Sequence, residues 1–108
     1  MIIILKKNVF FKLDLLILTA LKDQDRYGYD LCLCINSHTS EYFEVKEGVM
    51  YPILHKLLED KYITSYSELH NNRNRVYYHL TDKGKERLEH LITEFELGVK
   101  VVKDFIYQ

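Results

Sequence analysis

Tyr51 and His55 lie four residues apart in the stretch KEGVMYPILHKLLEDKYI, which covers residues 46–63. Residues with this spacing share one face of a helix, and Lys46 and Lys56 flank the pair. A tyrosine hydroxyl can hydrogen-bond a phosphate or the edge of a base, its ring can press on a thymine methyl group, and lysines can contact phosphates. This chemistry is typical of a surface that binds a partner outside the protein.

The chain's only proline, Pro52, lies near the front of the same segment. Proline fits the first turn of a helix, because its missing N–H group would have no partner there. We therefore expect a helix of about 47–60 whose regular part begins at about Val49 to Pro52, with a rigid front end. Its inner face is predicted to contain Val49, Ile53, Leu54, Leu57 and Leu58. Its outer face is predicted to contain Tyr51, His55 and Glu59.

A β-hairpin is predicted at about residues 62–80. The runs ITSYSEL and RVYYHLT are rich in strand formers, and their side chains alternate between two faces. Asn71 and Asn72 lie between the runs and can adopt the left-handed conformations of a hairpin turn. Arg73 and Arg75 then lie at the tip of the hairpin, where arginines can contact phosphates or a minor groove.

Helices are predicted at both ends of the chain. Apolar residues at helical spacing in the first helix are Leu13, Leu16, Ile17, Ala20 and Leu21. Leu15 and Leu18 lie off that face, which is a first indication of a dimer. Thr81 is a good N-cap for the last helix, residues 82–108. Its apolar residues are spaced as in a helix that packs along another helix, and they are Leu88, Ile92, Phe95, Val99, Val102 and Ile106.

The size and the charge of the chain limit its class. Its 108 residues, 47% of them hydrophobic, suit one domain with a modest core. The net charge is -1, and residues 44–80 contain five basic and five acidic side chains. Any binding to nucleic acid must therefore come from local placement of charge rather than from global attraction.

Several other classes are disfavoured. The apolar runs MIIIL and LDLLILTAL are too short to span a bilayer, and no signal peptide is evident, so we expect a cytoplasmic protein with reduced thiols at Cys32 and Cys34. The five histidines show no metal-ligand spacing. No nucleophile–base–acid set and no phosphate-binding glycine loop is present, so we expect neither an enzyme nor a cofactor.

The predicted order is three helices, two strands and a long helix. This order indicates a mainly α (α+β) fold. We expect a winged helix-turn-helix over residues 1–81 and a C-terminal dimerisation helix over residues 82–108, packed with the first helix in one compact unit. In such a fold the helix at 47–60 would enter a major groove, and the hairpin would be the wing.

Three segments resemble the PadR family of bacterial transcriptional regulators. They are YGYDL at 27–31, KEGVMYPILHKLLEDKYI at 46–63 and RVYYHLTDKGKERLE at 75–89. The resemblance covers about residues 11–90, and the short length is similar to that of the small subfamily with one terminal helix. It implies a homodimeric repressor that binds operator DNA and releases it when a small aromatic or cationic effector binds, commonly at the dimer interface.

The residues and the resemblance together give three sets of site residues. The predicted DNA contacts are Lys46, Tyr51, His55, Lys56, Arg73 and Arg75. The predicted dimer contacts are Leu15, Leu18, Leu88, Ile92, Phe95, Val99, Val102 and Ile106. The predicted effector pocket contains Phe11, Leu15 and Phe95. The alternative is a winged helix that binds proteins without specific DNA binding, which the balanced charge of residues 44–80 favours.

Overall fold

The computed structural model describes residues 12–108. The apolar segment MIIIL and Phe11 lie outside the described residues. Helices α1 to α4 span Leu13–Ala20, Gly28–Thr39, Glu47–Glu59 and Asp82–Ile106. Strands β1 to β3 span Arg26–Tyr27, Ile63–His70 and Arg73–Leu80. The predicted winged helix-turn-helix of the mainly α (α+β) class is confirmed, and the short strand β1 is an addition to the predicted elements.

Strand β1 enlarges the hairpin to a sheet with the order β1-β3-β2. Both neighbours of β3 are antiparallel to it, with Tyr27 opposite Tyr77 and Tyr66 opposite Tyr77. The hairpin turn consists of Asn71 and Asn72, whose φ angles are 50° and 63°. Two successive positive φ angles define the turn type that matches the twist of a hairpin, and asparagine tolerates them well. The predicted turn is therefore confirmed.

The hydrophobic core lies where α1, α2, α3, the base of the sheet and the start of α4 meet. Its buried side chains are Leu13, Ile17, Leu18, Leu21, Leu31, Cys32, Ile35, Val45, Met50, Leu54, Leu57, Ile63, Tyr78, Leu80, Leu88 and Leu91. Tyr78 and Leu80 come from the inner face of β3, so the base of the wing is anchored in the core. Nearer the tip of the wing, Leu69 and Val76 are exposed.

The inner face of α3 differs from the prediction by one position. Met50 is fully buried, whereas Val49, which was predicted to face inward, is exposed. Buried Met50, Leu54 and Leu57 follow each other by four and three residues, which is one helical face. Val49 lies about 100° around the helix from Met50, and this rotation places it on the surface.

The prediction for Pro52 is also corrected. Helix α3 begins at Glu47, so Pro52 is its sixth residue and lies inside the helix rather than in its first turn. Proline has no amide hydrogen, so the carbonyl group of Gly48, four residues earlier, loses its usual helical donor. Gly48 itself is an exposed residue.

The long helix α4 has a capped N-terminus and a largely exposed second half. The hydroxyl oxygen of Thr81 accepts a hydrogen bond of 3.0 Å from the amide of Gly84, which confirms the predicted N-cap. Buried residues of α4 are Gly84, Leu88 and Leu91, all in its first half. The second half extends beyond the core, and the described residues measure 58 × 31 × 23 Å. No helix within residues 12–108 is long and apolar enough to cross a membrane.

Candidate nucleic-acid interface

The front half of α3 packs against the core on one side and presents polar side chains to solvent on the other. Met50, Leu54 and Leu57 hold the helix against the core from one side. On the other side Lys46, at the N-cap, and His55 are exposed, and His55 makes none of the hydrogen bonds found within residues 12–108. An imidazole in this position is available to hydrogen-bond a partner.

Tyr51 is held in place from two directions. Its hydroxyl donates a hydrogen bond of 3.3 Å to Oε2 of Glu47, one turn earlier in α3. Its ring lies against Gly28, the first residue of α2, yet Tyr51 remains 41% exposed. Burial, followed by the nearby charge of Glu47 and the hydrogen bond to it, raises the pKa of Tyr51 above its ordinary value. Tyr51 is therefore neutral near pH 7 and can still contact a partner.

Lys56 forms an ion pair at the C-terminal end of α3. Its ammonium group lies 3.5 Å from Oδ1 of Asp60, and both side chains are well exposed. An exposed pair at this spacing is worth at most about 0.5 kcal/mol, so the lysine can exchange the carboxylate for another anion at little cost.

The arginines of the wing have different surroundings. Arg73 is exposed beside the turn, opposite His70. Arg75 is half-buried, and the central carbon of its guanidinium lies 4.4 Å from the centre of the Tyr27 ring on β1. A cation over an aromatic ring at an exposed site gains about 0.5–1 kcal/mol. Strand β1 therefore restricts Arg75 before any ligand is bound.

An aromatic cluster continues from Arg75 across the outer face of the sheet. The ring of Tyr77 is 5.6 Å from that of Tyr27 and stacks at 5.5 Å on that of Tyr66, with an angle of 11° between the planes. The hydroxyl of Tyr66 then donates to Asp25 at 2.7 Å. The cluster links the loop before β1 to both strands of the wing.

Asp25 is the polar end of this cluster. Besides the Tyr66 hydroxyl it contacts Nδ1 of His79, also at 2.7 Å. Partial burial raises the pKa of Asp25, but the hydrogen bonds from Tyr66 and His79 and the charge of His79 outweigh it, so its pKa lies below the ordinary value. The hydrogen bond to the Asp25 carboxylate is the main cause that raises the pKa of Tyr66 to about 12.

A cleft of about 310 Å³ separates α3 from the wing. Its lining comes from β1, from the fronts of α2 and α3 and from β3, and consists of Tyr27, Gly28, Tyr29, Glu47, Tyr51, Asn74, Arg75, Val76 and Tyr78. Tyr51 and Arg75, predicted from separate segments, therefore line one cleft. The lining does not include Lys46, His55, Lys56 or Arg73.

Sequence reasoning did not single out two residues of the cleft, Glu47 and Asn74. Glu47 could have been found, because it lies four residues before Tyr51 and so shares its helical face. Asn74 enters the cleft only through the packing of β3 beside α2 and α3, and its local sequence gives no signal for this.

A second surface is apolar and lies on α4. Among the predicted dimer residues, Leu18 and Leu88 are buried in the core of the protomer, so they are not available at its surface. Leu15, Phe95 and Val99 are half-buried, and Ile92, Val102 and Ile106 are exposed. A further stripe with i, i+4, i+8 spacing was not predicted, and it consists of Leu97, Val101 and Phe105, which are 59% to 75% exposed. The end of α4 is thus apolar on two faces.

The two cysteines are free thiols in different surroundings. Cys32 is buried with its Sγ 3.7 Å from the sulfur of Met50, and Cys34 is half-buried. Burial, followed by the charge of Glu47, raises the pKa of the Cys32 thiol, which lowers its reactivity. Within residues 12–108 no three histidine, cysteine or acidic residues are grouped so that they could hold a metal ion.

Comparisons with known proteins agree on one family. The model of the transcriptional regulator PadR-like family matches residues 17–90. An uncharacterised protein from Lysinibacillus sphaericus is 32% identical over 95 residues, which is 87% of each chain.

Solved structures give the same result. A transcriptional regulator from Clostridium thermocellum has a TM-score of 0.79 at 32% identity, covering 86% of this chain and 91% of that one. A PadR family regulator from Clostridium difficile R20291 has a TM-score of 0.72 at 34% identity, covering 87% and 97%. Bacillus subtilis PadR in complex with operator DNA has a TM-score of 0.68 at 27% identity, covering 74% of this chain and 45% of that one.

Proposed function

Because the chain belongs to the PadR-like family of transcriptional regulators, we propose that it binds double-stranded operator DNA as a homodimer and represses transcription there. The observation that supports this most is the cleft that Tyr51 of α3 and Arg75 of the wing both line. Helix α3 and strand β3 thereby place a tyrosine hydroxyl and a guanidinium cation on the same side of the molecule. The similarity to Bacillus subtilis PadR, which was solved with operator DNA, points to the same partner.

In this proposal α3 enters the major groove by its front end. The second helix of a helix-turn-helix contacts base edges through its N-terminal residues, and at this end of α3 Glu47, Val49 and Tyr51 are exposed. Tyr51 and His55 contact base edges or phosphates, while Lys46 and Lys56 contact phosphates. The buried face of α3 packs on the core and so fixes the position of this end relative to the core.

The wing supplies the positioning contacts. Arg73 and Arg75 bind phosphates of the DNA strand that passes between α3 and the hairpin. These contacts fix the position of the protein along the duplex without reading the base sequence. Arg75 is restrained by Tyr27, so less side-chain freedom is lost on binding than for an unrestrained arginine. The near-neutral charge of the chain makes these few local cations decisive.

The second half of α4 forms the dimer in this proposal. Its exposed apolar residues leave an uncovered surface that water disfavours, and pairing with a second copy would remove that surface from water. A two-fold dimer presents two copies of α3 to successive major grooves, so half-sites of the operator lie about 34 Å apart or a multiple of this.

A small aromatic or cationic effector completes the proposal. Leu15 and Phe95 are half-buried and lie on the two helices, α1 and α4, that pack together near the proposed dimer surface. An effector bound there, with Phe11 as a third predicted contact, would rotate the protomers and change the spacing of the two α3 helices. The DNA would then be released because both half-sites can no longer be contacted at once.

The test is the salt dependence of binding to a fluorescent DNA duplex, measured by anisotropy. Each phosphate contact contributes about 0.9 to the slope of log K against log salt concentration. Arg75→Ala removes one contact from each protomer, so the slope of a dimer should become shallower by about 2.

Lys83→Ala is the matched control for this measurement. Its ammonium group donates to the carbonyl of Asp60, at the end of α3 opposite to the proposed contact. It removes the same charge, and the slope should stay unchanged. Equal slopes for wild type and Arg75→Ala would contradict the proposed role of the wing. Failure of the wild type to bind any duplex would favour the protein-binding alternative.

A further inference from the structure

A negative charge lies where the proposed function calls for contact with DNA. Glu47 is the first residue of α3, it is exposed, and it lines the cleft with Tyr51 and Arg75. A carboxylate in this position repels phosphates at every DNA sequence. Its presence at the front of α3 therefore needs a separate reason.

The carboxylate of Glu47 has a defined position. The hydroxyl of Tyr51 donates to its Oε2 at 3.3 Å, and the ring of Tyr51 lies against Gly28. Within residues 12–108 Glu47 forms no ion pair, although Arg75 lines the same cleft. One carboxylate oxygen remains without a donor among these bonds.

The chemistry of the major groove determines which base could supply that donor. A carboxylate can only accept hydrogen bonds, and only two bases expose an amino donor there. Adenine shows its N6 amino group beside the N7 acceptor, which repels a carboxylate, whereas cytosine shows its N4 amino group without such a neighbour. Cytosine is therefore the base that a carboxylate selects.

We propose that Glu47 is a specificity-determining residue that accepts a hydrogen bond from the N4 amino group of a cytosine in each half-site. Tyr51 is its positioning residue, because its hydroxyl holds one carboxylate oxygen and leaves the other for the base. The inference rests on the proposed function, since it requires α3 to enter a major groove. It goes beyond that proposal because it names a base and the residue that selects it.

A simpler role for Glu47 makes a different prediction. An acidic residue in the first turn of a helix interacts favourably with the helix dipole. In that case Glu47 would affect the stability of α3 and repel all DNA equally, and its replacement would change affinity without changing the preferred base. The identity of the selected base therefore separates the two roles.

The experiment is selection of bound duplexes from a pool with randomised half-sites, followed by sequencing. Wild type should enrich cytosine at one position of each half-site by about tenfold over the other bases. Glu47→Gln removes the charge and retains an acceptor for the Tyr51 hydroxyl. Because glutamine pairs with adenine N6 and N7, the preference at that position should fall to about twofold or shift to adenine.

Two further variants complete the test. Glu44→Gln makes the same charge change at an exposed residue outside the cleft lining, and it should retain the cytosine. Tyr51→Phe keeps the ring on Gly28 and removes only the hydroxyl, so it should weaken the cytosine preference. The melting temperature of each variant should stay within about 3 °C of wild type, since the sites are at the surface.

The outcomes separate the inference from the proposed function. If wild type selects a defined site and Glu47→Gln selects the same site with the same cytosine preference, or if no cytosine is selected, the inference is overturned while DNA recognition stands. If wild type selects no sequence at all, the proposed function fails and the role of Glu47 fails with it.

Discussion

The hydroxyl oxygen of Tyr51 lies 2.5 Å from the point where a β-carbon on Gly28 would sit. The first residue of α2 therefore touches the fifth residue of α3, and the contact leaves no space for a side chain. The φ angle of Gly28 is not positive, so glycine is required there by space and not by backbone conformation. The position of the Tyr51 ring between the two helices thus depends on the absence of a side chain at Gly28.

Gly28→Ala should displace Tyr51 without unfolding the protein. The clashing atom is the end of a side chain that can rotate, so the free energy of unfolding should change by less than about 1 kcal/mol. Rotation breaks the bond to Glu47, and binding to operator DNA should weaken by about 1 kcal/mol or more. Thermal denaturation and anisotropy check the two effects. Unchanged DNA affinity would show that the position of the Tyr51 ring does not matter for binding.

Gly84→Ala, unlike Gly28→Ala, should clearly lower the free energy of unfolding. A β-carbon on Gly84 would overlap the backbone carbonyl of Tyr62, which is fixed by hydrogen bonds from the amide and the hydroxyl of Thr81. Crowding of this kind costs about 1–3 kcal/mol, and the rigid backbone here places it at the upper end. Chemical denaturation measures the loss.

Gly98→Ala is the matched control for Gly84→Ala. Within residues 12–108, no atom outside the neighbouring backbone of α4 lies within 4 Å of a β-carbon placed on Gly98, in the second half of the helix. The free energy of unfolding should therefore rise by about 1 kcal/mol, the difference in helix propensity between glycine and alanine. Equal effects of the two substitutions would contradict the packing described for Gly84.

Phe105→Asp should separate the proposed dimer. Phe105 is 75% exposed in the protomer, so a charge there costs the protomer fold little, whereas burial of that charge between two copies is strongly unfavourable. Light scattering after gel filtration should show a dimer for wild type and a shift toward monomer for the variant. Thr93→Asp adds the same charge at an exposed position before the second half of α4, outside the surface proposed to form the dimer, and it should remain dimeric. A monomeric wild type would contradict the proposed assembly.

Asp25→Asn should lower stability in a way that depends on pH. A carboxyl group whose pKa is lower in the folded state contributes stability above its unfolded pKa of about 3.9, and this contribution is lost as the pH falls through the folded value. The variant should therefore lose about 1 kcal/mol at pH 6, since the hydrogen bonds from Tyr66 and His79 are partly exposed.

Denaturation at pH 6 and near pH 2 measures this difference. The gap between wild type and Asp25→Asn should close at the lower pH. Asp104→Asn removes an exposed carboxylate that pairs with Lys100, and it should change stability by less than about 0.5 kcal/mol at either pH. A gap for Asp25→Asn that is equal at both pH values would contradict the role of its charge.

Local sequence determined much of the fold. The paired asparagines predicted the hairpin turn, Thr81 predicted the start of α4, and the expected helix at about 47–60 is observed at Glu47–Glu59. These features depend on neighbours in the chain, so the sequence contains their signal. Strand β1 has two residues and no pattern of its own, because only the packing of α2 beside β3 brings it into the sheet.

The candidate site was less predictable for the same reason. Helical spacing predicts that Tyr51 and His55 face outward, but it does not locate the inner face to within one residue. It assigns Val49 to the inner face, whereas Met50 is the buried residue. The contact of Tyr51 with Gly28 and that of Arg75 with Tyr27 join segments distant in sequence. Such contacts follow from tertiary packing, and no local pattern specifies them.

The most direct test of the central claim is sequence-dependent DNA binding. Anisotropy would compare DNA from upstream of the protein's own gene with a scrambled duplex at two salt concentrations, for wild type and for a double variant, Tyr51→Ala with Arg75→Ala. If the proposed function holds, the wild type prefers the upstream DNA with a steep salt dependence, and the variant loses both. Equal weak binding to both duplexes, unchanged in the variant, would contradict it.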